Sequence, residues 1–124
     1  MALVVDGMNV IGSRPDGWWR DRPGARRALV AELAAVAAEG EVTVVFDGRP
    51  TPGEADAATA LGVGVEFAPG GPNAADDRIV AMLGAEPDPA SVTVVTSDAA
   101  LATRARALGA TVQSVGAFRR MLDR

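Results

Sequence analysis

Five aspartates stand where a chain could carry out metal-assisted chemistry. They are Asp6 in "VVDGMNVIG", Asp47 in "VVFDGRP", the neighbours Asp76 and Asp77 in "NAADDRI", and Asp98 in "VVTSDAAL". Three of them close apolar runs, and the adjacent two open a segment with a helical pattern. Like-charged carboxylates brought within a few ångströms repel by about 1–4 kcal/mol at effective dielectrics between that of water and that of a protein surface. A cluster of them needs a reason, and a divalent cation is the simplest. All-oxygen ligands suit Mg²⁺ or Mn²⁺. The chain contains no histidine and no cysteine, and all 12 of its cationic residues are arginine. The usual zinc ligands are therefore missing. A Ser-His-Asp triad, a cysteine nucleophile, a Schiff-base lysine and a phosphate-loop lysine are excluded as well.

Each aspartate also has a structural explanation when taken alone. Asp98 stands where an N-cap would precede "AALATRA". Asp76 and Asp77 suit the first turn of a helix, where the dipole favours acids. Asp6 has no evident helix to cap, and Gly7 behind it permits a close turn, with Asn9 as a further oxygen ligand or orienting group. The joint pattern favours a metal site.

The elements that would position these residues follow from the apolar pattern. Short β-branched runs at 2–6, 41–47, 63–69, 91–98 and 110–115 read as buried strands. Helical patterns occupy 24–40, 55–62, 74–85 and 99–109, and "GAFRRMLDR" ends the chain as a further helix. Residues 12–24 and 48–54 read as loops rich in glycine, proline and arginine. Regular alternation of strand and helix means an α/β fold with a parallel sheet covered on both faces. In such a sheet, Asp6, Asp47 and Asp98 end strands on one edge, where ligands bind. The 124 residues suit one domain, with no linker, no signal peptide and no transmembrane stretch. A cytoplasmic protein with no membrane association is expected.

In their order and spacing, "VVDGMNVIG", "VVFDGRP", "NAADDRI" and "VVTSDAAL" resemble the NYN domain family of PIN-like nucleases, and within it the YacP-like branch. The resemblance spans about residues 2–122. It implies a PIN-like three-layer α/β/α sandwich with a central, mainly parallel sheet of about five strands, and a metal-dependent ribonuclease. Asp6 matches the family's first-strand acid and Asn9 its partner. Asp76 and Asp77 match the acidic pair opening the middle helix. Asp98 matches the acid after the fourth strand, with Ser97 the small hydroxyl residue before it. Asp47 matches an acid seen in part of the family. The expected metal ligands are Asp6, Asp76, Asp98 and Asp47, with Asp77 as ligand, water-positioning group or proton acceptor.

Net charge is −4, yet Arg14, Arg20, Arg22, Arg26 and Arg27 crowd residues 14–27. Arginines there could clamp phosphates. Trp18 and Trp19 could stack on unpaired bases, so single-stranded RNA is the expected substrate. One tryptophan is expected to pack as a lid on the core and the other to face the substrate. Arg49 offers a contact from the second loop. Arg78 would stabilise charge in the transition state or pair with Asp77 or Asp47. Three alternatives remain: another Mg²⁺-dependent phosphohydrolase, a non-catalytic module binding RNA or the ribosome, and a toxin of the PIN class. A haloacid-dehalogenase-type enzyme would require an acid where Met8 stands. Exposed apolar surface on the small helices could serve a partner or a homodimer.

Overall fold

The computed structural model describes residues 2–124. Five strands form one parallel sheet: β1 (Ala2–Asp6), β2 (Val42–Asp47), β3 (Gly64–Ala68), β4 (Val92–Val95) and β5 (Thr111–Gln113). Their order across the sheet is β3-β2-β1-β4-β5. Six α-helices connect and flank them: α1 (Gly7–Ile11), α2 (Arg22–Ala37), α3 (Glu54–Ala60), α4 (Ala74–Ala85), α5 (Ala99–Ala107) and α6 (Val115–Leu122).

Alternation along the central strands builds a core on each face. Val5, Val44, Phe46 and Val95 point to one face and pack with Leu29 and Leu33 of α2, Ala58 of α3 and Phe118 of α6. Val4, Val45, Val92 and Val94 point to the other and pack with Ile79 and Leu83 of α4 and Leu101 of α5. The result is the three-layer α/β/α sandwich expected. Among the described residues no helix is long and apolar enough to cross a membrane.

This strand order puts a switch point between β1 and β4. Connections from β1 run toward β2 and β3 over one face; those into and out of β4 run over the other. Ligands in such sheets sit in the crevice beyond the carboxyl ends at that point, and Asp6 closes β1 there.

Besides β4, which ends at Val95 and leaves Asp98 as the N-cap of α5 rather than the strand's last residue, two local features depart from the sequence expectation. A five-residue helix, α1, begins directly after Asp6. It lacks the length for a periodic signature, so the stretch reads only as a turn. The second departure is the basic stretch, which folds into a 3-10 turn at Trp18–Arg20 followed by α2 from Arg22, two residues earlier than its pattern suggests. Asp21 caps α2, accepting from the Gly24 N–H at 3.0 Å.

Gly7 explains how a helix can start so close to the sheet. A β-carbon there would run into the Phe46 ring and lie 2.9 Å from Val44 Cγ2. Inserting a methyl group into a packed core typically costs about 1–3 kcal/mol. Gly7→Ala is expected to lower the melting temperature by about 5–10 °C. Thermal unfolding followed by circular dichroism checks this, and a wild-type midpoint would refute the steric argument.

Candidate active site

Asp6, Met8, Asn9, Asp47, Asn73, Asp76 and Asp98 line a crevice of about 280 Å³ at the carboxyl edge of the sheet. Four carboxylates from four separate segments thus share one space. Asp6 is 5% exposed. Its Oδ2 accepts from the buried Thr96 hydroxyl at 2.9 Å. Thr96 Oγ1 in turn accepts from the Asp98 N–H at 3.1 Å, so one hydroxyl links the two acids across the switch point. Asp6 occupies the N-cap position of α1 but makes no side-chain cap bond. Its carboxylate remains turned to Thr96 and the crevice.

Asp98 does cap, accepting from the Leu101 N–H at 2.9 Å. Asp47, at the end of β2, accepts from the Ala75 N–H at 3.2 Å and so satisfies a donor in the first turn of α4. Asn73 precedes that helix with φ 65, a left-handed conformation that asparagine tolerates better than most residues. Asp76 makes no side-chain hydrogen bond or ion pair among the described residues. Asn9 Oδ1 accepts from the Ser97 N–H at 2.8 Å, which joins α1 to the segment after β4. Ser97 Oγ accepts from the Val115 N–H at 2.9 Å. The Asn9 amide NH₂ and the Ser97 O–H are thereby left to donate elsewhere.

The acids feel one another. Burial, opposed by the Thr96 hydrogen bond and reinforced by Asp76 and Asp47, pushes Asp6 up to about 6. Burial, then Asp98 and Asp47, also raises Asp76, with Arg104 acting in the opposite sense. Such a set of carboxylates is short of positive charge. The donors are all oxygen, which fits a hard divalent cation. Among the described residues, however, no three carboxylates are close enough to enclose an ion as they stand. Asp6, Asp47 and Asp98 are engaged instead with Thr96, Ala75 and Leu101.

Other expected residues lie elsewhere. Asp77 is outside the crevice, mostly exposed, and pairs with Arg104 Nη1 at 2.9 Å. Adjacent helical residues project about 100° apart, so Asp76 and Asp77 cannot both face the site. Arg78 pairs with Glu66 at 2.6 Å on the outer side of α4, not with Asp77 or Asp47. Arg49 is exposed in the loop after β2. Arg14 is half-exposed and pairs with Asp123 at 3.2 Å. Trp18 packs against the core while Trp19 is 52% exposed, with their rings edge-to-face at 5.9 Å. Arg22 lies over the Trp18 ring and Arg20 over that of Trp19. Arg26 is not part of the basic surface: it is buried against Glu54. Sequence reasoning passed over Thr96 and Asn73, although both lie inside the quoted motifs or directly before the acids.

A parallel five-stranded α/β/α sandwich of this kind is the fold of the nuclease-like NYN domains. The pattern of the YacP-like NYN domain matches residues 3–124, and the chain belongs to that family. It is similar to the crystal structure of Rae1 (YacP) from Bacillus subtilis, with 28% identity and a TM-score of 0.78 over 99% of this chain and 74% of that one. The W164L mutant of the same protein gives 25% identity and a TM-score of 0.75 over 98% and 74% of the two chains. No curated protein matches the chain.

Proposed function

We propose that this chain is a metal-dependent ribonuclease that hydrolyses phosphodiester bonds of single-stranded RNA in the cytoplasm, on free or ribosome-associated RNA. One observation carries the reading. Four carboxylates reach one crevice from four separate segments, and burial and mutual repulsion hold Asp6 and Asp76 above the ordinary aspartate range. A binding module for a polyanion gains nothing from such a set.

Asp6, Asp76, Asp98 and Asp47 would hold one or two Mg²⁺ or Mn²⁺ ions. A cation there supplies a lowered pKa for its water and neutralises charge on the phosphate. Thr96 fixes the Asp6 carboxylate through one oxygen, and the Asn9 N–H also favours its charged form. Asp76, with no bond to give up, is the carboxylate most ready to turn inward. The Asn9 NH₂ and Ser97 O–H donate to non-bridging phosphate oxygens, each oriented by the bond its own oxygen already accepts. Asp77 is given no role, because it lies outside the crevice and beside Arg104.

Asp76→Asn is the cleanest test, because Asp76 supports no other element. Fluorescent single-stranded RNA should be cut by the wild type in Mg²⁺ or Mn²⁺ and not in chelator. The variant should lose at least ~100-fold in rate, the equivalent of a few kcal/mol of transition-state stabilisation, with no fall in melting temperature. Cleavage that persists in chelator, or at the wild-type rate in the variant, would sink the reading. Binding of RNA without cleavage in any metal would favour a non-catalytic module. Turnover of mononucleotides alone would favour a general phosphohydrolase.

A further inference from the structure

A groove of about 600 Å³ adjoins the acid crevice and differs from it chemically. It runs between α1 and α6 and is lined by Asn9, Ser13, Arg14, Ser97, Gly116 and Arg119, with Asp123 at its margin. Asn9 borders both spaces. Arg14 and Arg119 also border the next depression, whose wall includes Trp18. Shared lining residues thus lead from the carboxylates to the tryptophan, where Asp16 and Glu32 also stand in the wall.

The crevice presents acceptors; the groove presents donors. Asn9 and Ser97 each have a hydrogen to give. Arg119 is a largely buried cation, held at 3.3 Å by Glu32 and at 3.2 Å by the Val10 carbonyl, and its Nε has no partner. Its charge is paired with Glu32, and its Nε–H is left as an unused donor. Arg14 is the cation that faces solvent, and the one carboxylate at the groove is attached to it. Asp123 lies 3.2 Å from Arg14 Nη2, with side-chain exposures of 40% for Arg14 and 61% for Asp123. An exposed pair of this kind is weakly held. Asp123 is held through Nη2 alone, and a phosphate approaching Arg14 could replace it with a two-point contact.

Resting on the ribonuclease reading, we propose that the RNA strand leaves the acid crevice along this groove and that its neighbouring phosphate displaces Asp123 from Arg14. The Asp123 carboxylate is thus a latch occupying the phosphate position, and the strand continues toward Trp18. Arg78, on the outer side of α4 and paired with Glu66 at 2.6 Å, lines neither the crevice nor the groove.

The test is anisotropy of fluorescein-labelled oligouridine with the full chain in chelator, where no cleavage intrudes. Asp123→Asn should tighten binding about 2- to 5-fold, the range open to an exposed ion pair. Arg14→Ala should weaken it and reduce the salt slope by about 1. The double variant should bind like Arg14→Ala alone, because the latch acts only through Arg14. Asp88→Asn, at the opposite edge of the sheet, controls for net charge and should change nothing. Unchanged binding by Asp123→Asn overturns the proposal. So does tightening that survives in the Arg14→Ala background, equal tightening by Asp88→Asn, or no measurable binding by wild type and Asp123→Asn. If cleavage in Mg²⁺ or Mn²⁺ fails while these binding results hold, the nuclease reading falls and the strand path stands. Intact cleavage without the latch effect means the reverse.

Discussion

Glu54→Gln is expected to destabilise the protein by about 3–5 kcal/mol, more than any surface substitution would. Glu54 and Arg26 form a buried two-point ion pair, Nε to Oε2 at 2.6 Å and Nη2 to Oε1 at 2.9 Å. Thr51 adds its N–H at 3.0 Å and its hydroxyl at 2.9 Å to the same Oε1. Arg26 also lies over the rings of Phe46 and Phe67. Removing the carboxylate leaves a guanidinium buried without its counter-ion, and that desolvation dominates the cost. A fall of about 10–20 °C in melting temperature follows for a domain of this size. The paired replacement Arg26→Met with Glu54→Leu should recover most of it, since apolar side chains of similar volume remove both charges together. A single variant that melts like the wild type would show the pair to be dispensable.

The same pair sets an acid limit. Its hydrogen bonds with Arg26, the largest influence, hold the Glu54 carboxyl down to about 2, from 4.5. A lowered carboxylate pKa adds stability that is present above pH 4.5 and is lost as pH falls toward 2. The linkage is worth about 3 kcal/mol from a shift of that size. Urea unfolding between pH 5 and pH 2.5 should show this loss in the wild type, and Glu54→Gln should lack that component.

The pair matters to the site through Phe46. Its ring touches Gly7 and also lies under the Arg26 guanidinium. Gly7 follows Asp6, so the packing that fixes the first carboxylate is anchored in the bridge between α2 and α3.

None of this was legible from the sequence, and the reason is physical. Arg26 sits among five arginines within 14 residues, a setting that reads as solvated surface. Its partner is 28 positions away on another helix. The parallel strands and the gathering of Asp6, Asp47, Asp76 and Asp98 were far more legible. Parallel strands buried on both faces appear as unbroken apolar runs, and an acid ending such a run must lie on the carboxyl edge. The adjacent pair misled, because family resemblance favoured both acids while helical geometry admits only one. Arg78 misled similarly, since the long-range partner Glu66 on β3 has no local signature. Thr96 was visible but unremarkable; only the register of β1 beside β4 turns it toward Asp6.

Asp6→Asn, by contrast, is expected to abolish cleavage and yet to stabilise the metal-free protein at neutral pH by about 1–3 kcal/mol. Asp6 is buried beside other acids and is pushed up to about 6. A raised carboxylate pKa adds stability that is complete below pH 3.8 and is lost as pH rises through 6, because ionisation is then disfavoured in the folded state. A shift of this size corresponds to about 3 kcal/mol. The wild type in chelator should therefore become easier to unfold from pH 4 to pH 7. Asparagine is uncharged and keeps an acceptor for the Thr96 hydroxyl, so the variant should lack that decline. Saturating Mg²⁺ or Mn²⁺ should restore stability to the wild type through binding to the folded state, with little effect on the variant. Denaturant midpoints at pH 4, 6 and 8, with chelator and with metal, decide it. A variant less stable than the wild type in chelator at pH 8 would mean that the Asp6 charge is already compensated inside the protein, and the argument for a cation would lose its electrostatic basis. The expected pattern would mean that the fold tolerates an unfavourable charge at the end of β1 for the sake of the chemistry done there.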